Sequence, residues 1–193
     1  MRSILPSFAS LLALTTIVND AQAEPYTLDK SHTAITFTID HLGFSLTHGR
    51  FAEFDAEIDF DADNPEESLV TFTIEAPSID TGWAKRDTHV RGEDFLNVEK
   101  HPKIVFVSKE IEVTGSDTAT MTGELSLNGR TREETFDLTL RKLAPSPFGE
   151  NLMTAGFIAE ATIDRTSYGI SYGAGAIGNE IPVRVDLEIV KEP

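Results

Sequence analysis

The chain has 193 residues, no cysteine, 16 Lys and Arg against 32 Asp and Glu, and a net charge of −16. That balance repels phosphate backbones and anionic lipid headgroups, which argues against nucleic acid as a partner. Without a thiol there is no disulfide, no thiolate metal site, no thiol nucleophile and no acylated cysteine to serve as an anchor.

The first 23 residues read as an export leader. Arg2 is a positive start, Ile4 to Val18 is mostly apolar, and Ala21-Gln22-Ala23 is a small-residue cleavage site. A membrane-spanning helix is the weaker reading, because Pro6, Ser7, Ser10, Thr15 and Thr16 interrupt the run, which falls short of the roughly 20 residues a span needs. Residues 24–193 then form one domain, placed in the periplasm or secreted, with no stable membrane anchor. The acids are spread along the chain rather than gathered, which fits a solubilising surface better than an acidic docking site.

Apolar-alternating runs follow near Tyr26–Asp40, Arg50–Asp61, Ser68–Pro77, Lys103–Val113, Thr118–Asn128, Thr131–Lys142, Leu152–Asp164 and Ile181–Val190. In Phe54-Asp55-Ala56-Glu57-Ile58-Asp59-Phe60 the alternation is without a fault, so apolar and acidic side chains fall on opposite faces of a strand. Asn64-Pro65, Gly115-Ser116-Asp117 and Pro145-Ser146-Pro147 separate the runs, and Asn128-Gly129 is a strong two-residue hairpin signal. One segment, Trp83 to Val98, reads as two short helical turns with Gly92 between them and Pro102 closing the segment. With one dry face per strand and no long helix to cover it, the sheet must curl onto itself. The expected fold is all-β, a barrel or a sandwich of about eight antiparallel strands, with the helical insertion as a plug or lid at one end.

The order of motifs resembles the YceI-like, polyisoprenoid-binding family across the domain. The residues that carry the likeness are Tyr26 to Phe44 with Gly49-Arg50-Phe51, Ser78 to Gly82 with Arg86-Asp87, and Asp94-Phe95 with Val98 to Pro102. Thr122 to Thr131, Asp164-Arg165 and Tyr168-Gly169 complete it. The resemblance implies an eight-stranded antiparallel lipocalin-like barrel that holds an isoprenoid, an isoprenoid quinone or a fatty-acid derivative, with no catalytic cofactor. Strand parity alone serves a packed core and a ligand cavity equally well. With the resemblance, the ligand-contacting candidates on the first strands are Phe37, Ile39, His41, Phe54, Ile58, Phe72 and Ile74. The insertion adds Trp83 and Phe95. Later strands add Phe106, Phe136, Leu138, Phe157, Ala159, Ala161, Ile163, Val183 and Val185, and the last loop adds Arg165 and Tyr168.

Several groups invite sharper chemistry. The five histidines show neither a helical i, i+4 pair nor a cysteine, so no metal site is expected. His41 continues the parity of Phe37 and Ile39, which aims it at the inner rim as a ligand contact or as a backbone-bonded rim group. Asp80 and Asp87 read as a solvated loop bridged by Arg86 rather than a catalytic carboxylate pair. Arg165 extends the inner face of its strand, either to hold a head group or to pair with Asp164 or Asp87 and so brace the glycine-rich loop. Gly169, Gly173, Gly175 and Gly178 suggest a long flexible connection and a mobile rim. The function expected is carriage of a lipophilic small molecule; action on a bound quinone, as an enzyme or redox accessory, and an empty structural barrel are the alternatives. Homodimerisation stays open. Export predicts cleavage between Ala23 and Glu24, so the exported protein should begin at Glu24 by intact mass; a mass that starts at Met1 refutes the leader.

Overall fold

The computed structural model describes residues 23–148 and 150–191; the leader reading otherwise lies outside them. Eleven strands and one helix follow in order: β1 Glu24–Leu28, β2 Ala34–His41, β3 Ser45–Phe51, β4 Phe54–Phe60, β5 Leu69–Glu75, β6 Ile79–Asp80, α1 Ala84–Arg91, β7 Lys103–Val113, β8 Thr118–Leu127, β9 Arg130–Pro145, β10 Met153–Asp164 and β11 Glu180–Lys191. They make eight walls, because three of the walls are bent. β1 and β2 lie end to end along β11, which pairs Leu28 with Ile189 and Phe37 with Val183. β3 and β4 lie end to end beside them, then β5 and β6. From there β7, β8, β9, β10 and β11 follow as an antiparallel meander. Contact of β11 with the first wall closes the barrel.

Closure explains the alternation. Ile58 and Phe60 on β4 and Ile189 on β11 turn inward and are buried, while Asp55, Glu57 and Asp59 stay exposed. The Asn128-Gly129 hairpin forms as expected, both residues at positive φ (49° and 71°). The insertion does cap one end: α1 stops at Gly92, whose N–H donates to the His89 carbonyl, and Leu96 packs with Phe37, Ile79 and Ile170.

Three features depart from the expected elements. Tyr26–Asp40 is not one strand, because Asp29 turns the chain by accepting from the N–H groups of Ser31 and His32. The second run starts at Ser45 rather than Arg50, since Leu42-Gly43 makes a tight turn (φ 59° and 74°) closed by the Phe44 N–H on the His41 carbonyl. A leucine at such a position hides the hairpin from a reading based on turn residues. Finally, β7 and β9 each carry a bulge, where the register skips Lys109 and Arg141. Each extra residue flips the inward parity, so Ile104 and Phe106 give way to Ile111 and Val113, and Leu138 and Leu140 to Leu143.

The inward face can be tested on β5. Phe72→Asp should cost about 3 kcal/mol or more, because it strands a carboxylate among apolar side chains. Thr71→Asp, one residue away on the outer face, should change stability by about 0.5 kcal/mol or less. Chemical denaturation of the two variants measures both; equal losses would invert the assignment of faces.

Candidate functional site

The barrel encloses a cavity of about 390 Å³ that runs its whole length. This is within the size range of small-molecule sites. β11 contributes Ile181, Val183, Val185, Leu187 and Ile189, β2 contributes Ile35, Phe37 and Ile39, and β5 contributes Val70, Phe72 and Ile74. Across from them stand Phe106, Met121, Leu125, Phe136 and Leu138, with Phe157, Ala159 and Ile163 from β10. The capped end is sealed by Ile79, Val90, Phe95, Leu96 and Ile170; the other is rimmed by Ala62, Pro65 and residues 115–118. Arg165 and Asp117 are the charged side chains on the lining, one at each end.

Arg165 is 5% exposed and has no carboxylate within ion-pair distance among the described residues. Instead its guanidinium donates to oxygens of the loop after β10. Nε reaches the Gly178 carbonyl at 2.8 Å. Nη1 reaches those of Ile170 and Tyr172 at 2.8 and 3.0 Å. Nη2 reaches the Ile177 carbonyl at 3.0 Å and Asn179 Oδ1 at 3.3 Å. These contacts use the full fork of donors that an arginine offers. Burial pulls the guanidinium below its ordinary pKa, with Asp164 partly offsetting this; the starting value is high enough that the charge survives.

Of the two roles expected of Arg165, the brace on the glycine-rich loop holds, but its partners are loop oxygens rather than a carboxylate. It does not pair with Asp164, whose Oδ1 instead accepts from the Thr166 N–H and hydroxyl (2.9 and 2.6 Å), which also hold its carboxyl below the usual range. Nor does it pair with Asp87, which accepts from the N–H and hydroxyl of Thr81. With its donors spent, the guanidinium offers a head group nothing further. The glycine-rich segment is likewise no loose rim, since Arg165 stitches it at five points and the Gly178 N–H donates to the Asp40 carbonyl. A second brace lies beside it. Tyr168, fully buried, donates to Glu134 Oε1 at 2.7 Å, and burial above all pushes its phenol far up.

Of the remaining candidates, Phe37, Ile39, Ile58, Phe72, Ile74, Phe95 and Phe106 meet the cavity, as do Phe136, Leu138, Phe157, Ala159, Ile163, Val183 and Val185. Five do not. His41 is exposed at the end of β2, beyond Ile39, where the cavity lining on that strand stops. Phe54 stacks on Phe72, ring centroids 6.0 Å apart, and is not on the lining. Trp83 is 57% exposed, with Arg86 5.8 Å over its ring. Ala161 packs on the core without meeting the cavity, and Tyr168 is buried behind the lining. Sequence reasoning passed over Met121 and Leu125, which plain parity on β8 would have found, and Ile111, Val113 and Leu143, which the bulges hid.

Arg86 does not bridge the two aspartates either. It donates to the Thr81 hydroxyl and carbonyl, while Asp80 binds Arg50 and the Gly82 N–H. Among the described residues, Asp29, His32 and Glu188 bring metal-compatible atoms within 4.8 Å of one another. They lie on the outer surface, where His32 Nδ1 meets Asp29 Oδ2 at 2.8 Å. The hydroxyl of Ser31 first and His32 second pull the Asp29 carboxyl down to about 2.

Comparison with known proteins agrees with this geometry. Residues 26–189 match the model of the YceI-like domain. A UPF0312 protein of Pseudomonas aeruginosa is 37% identical over 194 residues, covering 100% of both chains. Among solved structures, BcnA of Burkholderia cenocepacia superposes with a TM-score of 0.76 at 21% identity, over 83% of this chain and 98% of that one. A polyisoprenoid-binding domain from Saccharophagus degradans gives 0.67 at 14% identity, over 86% and 98%.

Arg165→Met should remove the loop's internal brace and leave four backbone carbonyls short of a donor. At about 1–3 kcal/mol for each buried group left unpaired, several kcal/mol should be lost. The thermal midpoint should fall by about 10 °C or more. Calorimetry measures it; a midpoint within 2–3 °C of the parent, on the order of 1 kcal/mol, would show that the loop holds without the guanidinium.

Proposed function

The chain belongs to the YceI-like family, and from that premise and the lining of its barrel we propose an exported protein that carries a long apolar molecule. The ligand is an isoprenoid, an isoprenoid quinone or a fatty-acid derivative, held inside the barrel in the periplasm or outside the cell. The observation that carries this reading is the cavity itself: about 390 Å³ left open between apolar walls in a family of binding barrels. The Saccharophagus degradans domain, which shares the fold, is a polyisoprenoid-binding one. Export is supported by the placement of β1, which begins at Glu24, so cleavage before that residue leaves the first strand whole.

The dimensions suit a chain. At about 30 Å³ per water-sized group, the cavity holds about a dozen methylenes. At about 0.8 kcal/mol for each methylene buried, the gross gain is about 10 kcal/mol before the costs of ordering the ligand. A longer chain continues past the rim formed by residues 115–118. The interior rewards the tail and, with the Arg165 donors spent, recognises a head group weakly at the capped end.

Organic extraction of the purified protein followed by mass spectrometry should recover a stoichiometric isoprenoid or acyl species. Ala159→Phe, which pushes a ring into the cavity from β10, should lower that yield about tenfold or more, a loss of about 1.4 kcal/mol or more. Its thermal midpoint should stay close to the parent's. No lipophilic species from the parent, or an undiminished yield from the variant, would sink the proposal.

A further inference from the structure

We propose that the β2–β3 hairpin is a docking tip that seats this protein on a zwitterionic lipid bilayer. The inference rests on the reading of the barrel as a lipid carrier and adds where such a carrier meets the membrane. Four non-glycine residues among those described have positive φ, and three of them are Asn97, Asn128 and Asn151, the residue type that tolerates that backbone. The fourth is Leu42. A leucine there is strained and, at 47% exposure, gains little burial in return. Its neighbours on the hairpin repeat the pattern, Phe44 at 86% and Leu46 at 57% exposure. Turn chemistry and solubility would both favour polar residues at all three positions, so their apolar character answers to something outside the chain.

Charge selects the occupant. Leu42 to His48 contains no acid, in a chain of net charge −16. The opposite end of the barrel also exposes apolar residues, Leu69, Val113 and Phe148. There, however, Glu66, Glu67, Glu112, Asp117 and Glu150 stand close in sequence and keep the surface hydrated. The one acid of the hairpin, Asp40, is held on the Gly43 N–H at 2.7 Å, so a bilayer meets fewer carboxylates here than at the other end. Aromatic residues suited to the water–lipid boundary accompany the hairpin. β6 runs antiparallel to β3 with Asp80 opposite Arg50, so the chain leaving Asp80 heads along β3 toward the tip and reaches Trp83, 57% exposed.

The tip is also tied to the cavity. The strand that ends in it supplies Ile35, Phe37 and Ile39 to the lining. His41 bridges to Ile177, and the Gly178 N–H donates to the Asp40 carbonyl, on the loop that Arg165 braces. A bilayer under the hairpin therefore lies against the capped end of the ligand site.

Flotation of the exported form, residues 24–193, with phosphatidylcholine–phosphatidylethanolamine vesicles tests this. The parent should float with the vesicles, with little dependence on salt, and less well once phosphatidylglycerol is included, because of the net negative charge. Phe44→Asp should reduce flotation about tenfold or more. Leu42→Asn, whose new residue suits the positive φ, should also reduce it while holding or raising the thermal midpoint. Unchanged flotation of both variants would overturn the proposal. So would a parent that stays off the vesicles but forms, by sedimentation equilibrium, a dimer that Phe44→Asp splits. Lipid recovered by extraction from a parent that does not float would defeat the docking tip alone. Vesicle binding by a parent with no extractable ligand would defeat the carrier reading and leave the tip standing.

Discussion

Closure of the sheet by β11 is the constraint on which the rest of the molecule depends. One strand must meet β10 along one edge and both β1 and β2 along the other. Apart from the two-residue β6, which pairs with β3 alone, the ring it completes leaves the walls no free edge along the barrel, which is how such folds avoid pairing with other chains. Closure also demands tilt and curvature, and bends supply part of it. The Asp29 turn, the break between β3 and β4, and the 3₁₀ turn Ala76–Ser78 each let a wall change direction without losing its partner. The bulges at Lys109 and Arg141 add local twist to walls that are otherwise unbroken.

A closed apolar barrel then needs its ends finished, and each end uses different chemistry. At the capped end the problem is a long connection that turns its carbonyls inward, where water cannot satisfy them. Arg165 answers that with one planar group that donates to four carbonyls and one side-chain amide. A carboxylate partner would have taken donors away from the loop. The cost of a buried cation is offset by several oriented dipoles rather than by one opposite charge. The other end is closed by short turns, where Asp61 caps the Asp63 and Asn64 N–H groups at 2.8 Å. It needs no buried cation, and there the cavity meets polar rim atoms.

Much of the barrel was legible because strand alternation is a local signal with a single cause, the pleat. β11 could be read residue by residue, and so could β4 and β5. The Asn128-Gly129 turn was equally plain, since its two residue types answer directly to positive φ. Legibility failed where a long-range demand overrode the local signal. Leu42 breaks turn chemistry, so the hairpin it begins was missed. Lys109 and Arg141 look like ordinary outward residues, and only pairing with the next strand reveals that they are extra. The direction of the Arg165 side chain followed from parity, but its partners are backbone oxygens contributed by Ile170, Tyr172, Ile177 and Gly178, and no residue type announces a carbonyl that points inward.

The same distinction bears on what the cavity can select. Its walls are set by parity and closure, the most robust features of the fold, so a general affinity for apolar chains comes almost automatically with the barrel. Selectivity among head groups needs polar atoms with unspent hydrogen-bonding capacity facing the ligand. At the capped end the guanidinium has none left, and Tyr168, whose hydroxyl serves Glu134, stands behind the lining. The rim holds Ser68, Ser116, Asp117 and Thr118; there the Ser68 hydroxyl accepts from the Asp61 N–H but keeps its donor, and the Asp117 carboxylate, which accepts from Ser116 at 3.3 Å, keeps acceptor capacity. Discrimination along the interior therefore falls to length and shape, which the rings of Phe72, Phe106, Phe136 and Phe157 set, and any choice among head groups is left to the rim.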